Sequence, residues 1–259
     1  SWRVKSLAVY TSISDEDLAS FLAAYDIGDP VSFSGIAEGV ENSNFMVRTT
    51  TGTYILTLYE KRVNPDDLPF FLNLMNHLAD KGLSCPQPVR TRSGEMLSRL
   101  NGRPAAVVTF LEGIWHRKAM PVHCRALGTE LARMHEMGKD FGMVRENSLS
   151  VNSWRPLLES CGAAADGVKP GLYAWPADLP GGVIHADLFQ DNVFFLGDEL
   201  SGFIDFYFAC TDMLAYDLAI CLNAWCFETD GSFNITKARQ MITAYQAARS
   251  LSGAELAAL

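Results

Sequence analysis

The sequence is short of positive charge, has no long apolar run and no paired cysteines, and each shortage removes a class of function. Its 21 lysines and arginines face 30 aspartates and glutamates, a formal net charge of −9 at pH 7. No basic run exceeds Lys61-Arg62 or Arg117-Lys118. A nucleic-acid partner would need a basic stripe to neutralise phosphates, so none is expected. An anion such as a nucleotide must be handled locally, by a few placed groups or a divalent cation. The most apolar window, Leu218 to Phe227, is broken by Asn223 and falls far short of the roughly 20 residues a membrane helix needs. SWRVKSLAVYT has too short an apolar run for a secretory signal. The six cysteines Cys85, Cys124, Cys161, Cys210, Cys221 and Cys226 form no C-x-x-C pair of the kind that binds zinc or carries redox chemistry. They read as small buried hydrophobes, and a cytoplasmic protein without a membrane partner is expected.

What is present is enough apolar residue, 48% of 259, for one large domain or two lobes. Ser14-Asp15-Glu16-Asp17 resembles a capping box, and Leu18, Phe21, Leu22 and Tyr25 follow at helical spacing. Strands are expected at Val31 to Phe33, Phe45 to Thr49 and Tyr54 to Tyr59, with the polar SGIAEGVENSN as a loop between the first two. Asn64-Pro65-Asp66-Asp67 starts a second helix, through Leu68, Phe71, Leu72, Met75 and Leu78 to Gly82. Pro88-Val89, a turn at Arg92 to Glu95 and the apolar Ala105 to Phe110 complete a five-stranded antiparallel sheet carrying one helix. From about residue 119 the pattern turns helical, with Leu149 to Gly162 a shorter helical stretch. Val193 to Leu196 and Gly202 to Phe206 read as a hairpin, and Tyr216 to Phe227 and Ile235 to Arg249 as helices. The fold class expected is α+β in two lobes, a sheet lobe over 1–112 and a mainly helical lobe over 113–259.

Chemistry gathers in VIHADLFQDN. There His185, Asp187 and Asn192 form H-x-D-x-x-x-x-N, and Asp205 follows at the end of the expected hairpin. Phosphoryl transfer needs hard oxygen ligands that hold magnesium against a nucleotide, and a carboxylate that aims the acceptor hydroxyl and takes its proton. Asp187, Asn192 and Asp205 supply both duties, against the plainer reading of a polar turn between short strands. His185 is read as a packed, hydrogen-bonded support for the loop, and Asp191 as solvated. The arrangement resembles the catalytic loop and metal aspartate of kinases.

The likeness extends beyond the loop. LGTELARMHEMG and YDLAICLNAW resemble the helices flanking the catalytic loop and metal aspartate in aminoglycoside phosphotransferases, choline kinases and their relatives. AVYTSISDEDLASFLAAYDIG, GIAEGVENSNF, YILTLYEKR, CPQPV, VIHADLFQDNVFF and IDFYFACTDMLAYDLAICLNAWCFE resemble the homoserine kinases of bacterial type within that protein-kinase-like superfamily. The resemblance implies ATP and Mg2+ as cofactors and L-homoserine as a small-molecule substrate, phosphorylated to O-phospho-L-homoserine in threonine biosynthesis. It makes Asp187 the base and Asn192 and Asp205 the metal ligands. It places Gly39 to Asn44 over the phosphates, so that Asn42, Ser43 and Asn44 bind nucleotide, with Thr57 on the third strand and Thr109 and Leu111 in the hinge. Tyr207, Asp212, Asn223 and Trp225 become candidates to line the acceptor pocket, although core packing serves Trp225 equally well. Choline, methylthioribose or an aminoglycoside are the other acceptors, and a non-catalytic nucleotide-binding protein of kinase fold is the alternative of a different class.

Two departures stand out against that family. Thr57 occupies the place of the usual third-strand lysine, and the helix from Pro65 to Lys81 has no glutamate to pair with one. Lys61 and Arg48 are the candidate replacements, each equally readable as a surface cation. The family also carries more helix between the Gly162 region and the catalytic loop, and more chain after Leu259, so segments are expected to be absent around 167–177 and beyond 259.

Overall fold

The computed structural model describes residues 11–36, 42–60, 63–162, 176 and 178–259. They form two compact units, one reaching from the N-terminal side to Ala79 with Cys85–Leu111, the other made of Asp80–Ser84 with Glu112–Leu259.

In the first unit, helix α1 (Asp15–Leu22) begins where the Ser14 side chain accepts the Asp17 N–H, with three acids in its first turn. The strands β1 (Pro30–Ile36), β2 (Asn42–Thr49), β3 (Thr53–Tyr59), β4 (Ser98–Leu100) and β5 (Arg103–Thr109) form one antiparallel sheet in the order β1-β2-β3-β5-β4. Strand alternation sends Phe45, Val47, Leu56, Leu58, Ala105 and Val107 to one face, where they pack on Leu18, Phe21 and Leu22 of α1. The Asn64 side chain accepts from the Asp66 N–H at a turn of 3-10 helix, Pro65–Asp67, which leads into α2 (Leu68–Asp80).

Two expectations change here. The polar stretch read wholly as loop is strand at both ends, because Ser34, Gly35 and Ile36 pair with Met46, Phe45 and Asn44. Backbone pairing needs no apolar side chain, and it places Asn42, Ser43 and Asn44 in β2. The fifth strand is also not Pro88-Val89 but Ser98–Leu100, beyond the turn. Pro88 makes only an isolated bridge to Val108, since Pro86 and Pro88 bring no N–H to a ladder.

The second unit holds α3 (Pro121–Met137), α4 (Val151–Ser160), β6 (Gly181–Ile184), β7 (Val193–Leu196), β8 (Glu199–Phe203), β9 (Cys210–Met213), α5 (Leu214–Trp225), α6 (Ile235–Ala248) and α7 (Gly253–Ala258). Strand β9, unforeseen in the sequence, pairs antiparallel with β6 and sets Cys210 opposite Ile184. The hairpin β7–β8 turns on Gly197-Asp198, with Gly197 at φ 63°. Its second strand therefore ends at Phe203, and Phe206–Phe208 is a 3-10 turn rather than strand. Five cysteines are buried as expected, but Cys161 is exposed. No described helix is long and apolar enough to cross a membrane.

Candidate active site

The loop from His185 to Asn192 leaves β6 and enters β7, and α5 grips it along its length. Asp217 on α5 accepts the backbone N–H of His185 at 2.8 Å and of Ala186 at 2.9 Å, one on each carboxylate oxygen. Further along α5, the Trp225 indole N–H donates to Leu188 O at 2.7 Å, and Ala224 O accepts from the Gln190 side chain at 2.6 Å. The loop is thus fixed at its start, middle and end. Between the first two grips the chain passes through Ala186 at φ 65°, a left-handed conformation that costs a residue with a Cβ roughly 1–2 kcal/mol. That turn projects Asp187, and two backbone bonds to one carboxylate hold it.

Asp187 and Asn192 meet directly. The Asn192 side-chain N–H2 donates to Asp187 Oδ2 at 2.8 Å and to Asp187 O at 2.7 Å. This fixes the Asp187 carboxylate in rotation and assigns the other atom of the amide, an oxygen, to whatever Asn192 faces. Asp205 is brought to the same place by the backbone, because Ile204 N–H donates to Asn192 O at 3.0 Å. Asp205 itself is left-handed, φ 60° and ψ 62°, and exposed. One carboxylate and one amide oxygen make the sparse, hard donor set with which magnesium is held when phosphate oxygens supply the rest. Among the described residues, no group of three or more His, Cys, Asp or Glu side chains could hold a metal ion. The Asn192 amide oxygen and the Asp205 carboxylate are hard oxygen donors of the kind magnesium takes.

His185 is fully buried, and its Nε2 bonds to Ile204 O at 2.9 Å, next to Asp205. Burial holds its pKa down at about 4, against the opposing pull of Asp217 and its own backbone contacts. The neutral ring donates from Nε2, and Nδ1 has no partner among the described residues. Burial pushes the Asp217 carboxyl up, but the His135 hydrogen bond, the two nearby imidazoles and the His185 N–H outweigh it, and its pKa is lowered.

The remaining candidates divide. Trp225 is buried with its N–H spent on the loop, which makes it a brace rather than pocket lining. Asn223 is exposed and bonds to Ala219 O of its own helix. Asp212 on β9 accepts from Asn147 at 2.7 Å, and Tyr207 is half-buried in the 3-10 turn after Asp205. In the first unit, Thr57 is buried and donates to Asn44 Oδ1 at 2.8 Å, and Asn42 Oδ1 accepts from Glu60 N–H at 3.4 Å. Ser43 turns to the opposite face and donates to Glu60 at 2.8 Å. Thr109 is committed to Gln87, giving its N–H to Gln87 O and accepting the Gln87 N–H on its hydroxyl. Leu111 is the last residue of that unit. Arg48 is exposed opposite Thr53, four residues along β2 from Asn44, and Lys61 and Gly39 to Glu41 lie outside the described residues. Sequence reasoning missed Asp217. Its signal was a lone carboxylate at a helical position otherwise filled by apolar side chains.

A model of the phosphotransferase enzyme family matches residues 32–251. The homoserine kinase of Nitrobacter winogradskyi is 62% identical over 98% of this chain and 81% of its own length. That of Parvibaculum lavamentivorans is 61% identical over 98% of this chain and 83% of its own. Among solved structures, an aminoglycoside phosphotransferase from Alicyclobacillus acidocaldarius superposes with a TM-score of 0.72 at 16% identity, over 99% of this chain and 83% of that one. An amicoumacin kinase solved with AMP-PNP and Ca2+ does so at 0.70 and 16%, over 95% and 81%. These two likenesses extend the fold to a two-lobed kinase-like architecture.

Proposed function

The chain belongs to the phosphotransferase enzyme family, and we propose that it transfers the γ-phosphoryl group of ATP to the hydroxyl of L-homoserine, giving O-phospho-L-homoserine and ADP. The acceptor is supported by the named homoserine kinases to which the chain is about 60% identical along nearly all its length. The chemistry is supported above all by the bond between Asn192 and Asp187.

In this reading Asp187 orients the acceptor hydroxyl and takes its proton as the oxygen attacks phosphorus. A carboxylate held by rotation-fixing bonds does this without reorganising. Asn192 Oδ1 and the Asp205 carboxylate would hold magnesium, which when bound neutralises charge on the transferring phosphate. His185, neutral and buried, keeps Ile204 and hence Asp205 in register with the loop. In the first unit, Asn42, Asn44 and Thr57, on one face of the sheet, are assigned to the nucleotide with the backbone of Leu111. Ser43 and Thr109, committed to Glu60 and Gln87, brace that sheet. Tyr207 and Asp212 are assigned to the acceptor side.

The test is magnesium-dependent ATP consumption with L-homoserine, choline, 5-methylthioribose and an aminoglycoside in parallel. Selective turnover of homoserine, abolished in Asp187→Asn, is expected. Turnover of another member of the panel would reassign the acceptor. Nucleotide binding without any turnover would make the chain a non-catalytic member of the family.

A further inference from the structure

The grip of Asp217 on the catalytic loop is the inner end of a longer buried chain of polar groups. His135, near the end of α3, places Nε2 3.1 Å from Asp217 Oδ2 and Nδ1 2.7 Å from the hydroxyl of Tyr245 on α6. The Tyr245 oxygen in turn lies 3.2 Å from Arg249 Nη1, which also donates to Glu255 of α7 at 2.8 Å. His135, Asp217, Tyr245 and Glu255 are each 1% exposed or less.

The direction of this chain follows from what each group can do. A guanidinium only donates, so the Tyr245 oxygen accepts from Arg249 and has its own proton to give. Burial pushes the Tyr245 phenol well above its ordinary value, so that proton stays on the ring oxygen. The acceptor within reach is His135 Nδ1. A neutral imidazole that accepts at Nδ1 carries its proton on Nε2, facing the Asp217 carboxylate. In the other tautomer an Nε2 lone pair would face that carboxylate, and Asp217 would lose a donor while carrying the left-handed turn at Ala186.

We propose that Tyr245 is a positioning residue for phosphoryl transfer: its hydroxyl selects the Nε2-protonated form of His135, which holds Asp217 on the N–H groups of His185 and Ala186 and so aims Asp187. Arg249 and Glu255 orient that hydroxyl. The assignment rests on Asp187 being the base, but its structural half can be read without any acceptor.

The test removes one oxygen. Tyr245→Phe is expected to lower kcat about tenfold with KM for ATP and homoserine changed less than twofold, and Tyr245→Phe added to His135→Asn is expected to cost nothing more than His135→Asn alone. Losses that multiply in the double variant, or a rise in KM with kcat intact, would overturn the proposal. Nitrogen-15 NMR of the wild-type chain provides a readout that does not depend on the His135 variant folding. His135 should carry its proton on Nε2, and the amide resonances of His185 and Ala186 should move in Tyr245→Phe. A ring protonated on Nδ1, or unmoved amides, refutes the proposal even in a fully active enzyme. Moved amides in a chain that does not use homoserine would leave the relay standing and sink only the acceptor assignment.

Discussion

The Trp225 indole N–H and the Leu188 carbonyl oxygen are 2.7 Å apart in the buried interior of the second unit. An aromatic residue at the end of α5 therefore braces the loop from His185 to Asn192. The Trp225→Phe variant keeps a ring but leaves the Leu188 oxygen without its donor and a small void. A buried acceptor stripped of its partner costs about 1–3 kcal/mol, and the lost ring volume adds to that. The urea midpoint should fall by an amount equivalent to about 2 kcal/mol or more, while KM for homoserine stays within twofold. A selective rise in that KM would return Trp225 to the acceptor pocket.

Helices α3 and α6 approach so closely at Gly128 that a side chain there has no room. A Cβ at Gly128 would overlap Met241 O and lie 3.0 Å from its carbonyl carbon. Those are backbone atoms of a helix, unable to swing aside. Gly128→Ala should destabilise the chain at the upper end of the roughly 1–3 kcal/mol that overpacking costs, measured by chemical unfolding. The same pair of helices carries His135 and Tyr245, so kcat should fall more than the loss of folded protein explains.

Local signals were legible and distant partnerships were not. The caps at Ser14 and Asn64 were readable because the side chain and the N–H it accepts are at most three residues apart. The H-x-D-x-x-x-x-N pattern was readable for the same reason, its asparagine, Asn192, donating to its aspartate, Asp187, across five residues. Strand β9 was not, because CTDM has no alternation of its own and becomes strand only beside β6. The resemblance placed Ser43 and Thr109 at the nucleotide, and the partners that occupy them, Glu60 and Gln87, are 17 and 22 residues away. The bond from His135 to Tyr245 spans 110 residues. Asp205 was expected at the end of a strand, but the two-residue turn at Gly197-Asp198 ends β8 at Phe203 and leaves Asp205 in a left-handed bend.

Thr57 answers part of the puzzle of the absent lysine. It is 2% exposed, with its hydroxyl donated to Asn44, and α2 contains no glutamate. An ammonium group introduced at this place would be buried with no glutamate from α2 to pair with. An uncompensated buried charge costs about 3–5 kcal/mol. Thr57→Lys should therefore lower the unfolding free energy of the nucleotide-free chain by several kcal/mol, read by thermal and urea melts. Equal stability would show that the sheet still accommodates the lysine found in other kinases.

His185 predicts how stability depends on pH. Its pKa of about 4 in the folded chain lies below the ordinary 6.5 because the ring is buried. Below pH 6.5 the unfolded chain takes up a proton that the folded chain refuses, so this group's contribution is complete above 6.5 and is lost as pH falls towards 4. A gap of that size corresponds to about 3 kcal/mol. Among the described residues no acceptor waits for the added proton at the buried Nδ1. Urea unfolding at steps between pH 7 and pH 4.5 should show the wild-type free energy falling. His185→Asn, which can still donate to Ile204 O, should flatten that slope despite lower stability at pH 7. Parallel slopes in the two proteins would mean that His185 gains its proton in the folded state as readily as in the unfolded one, and that burial does not set its charge.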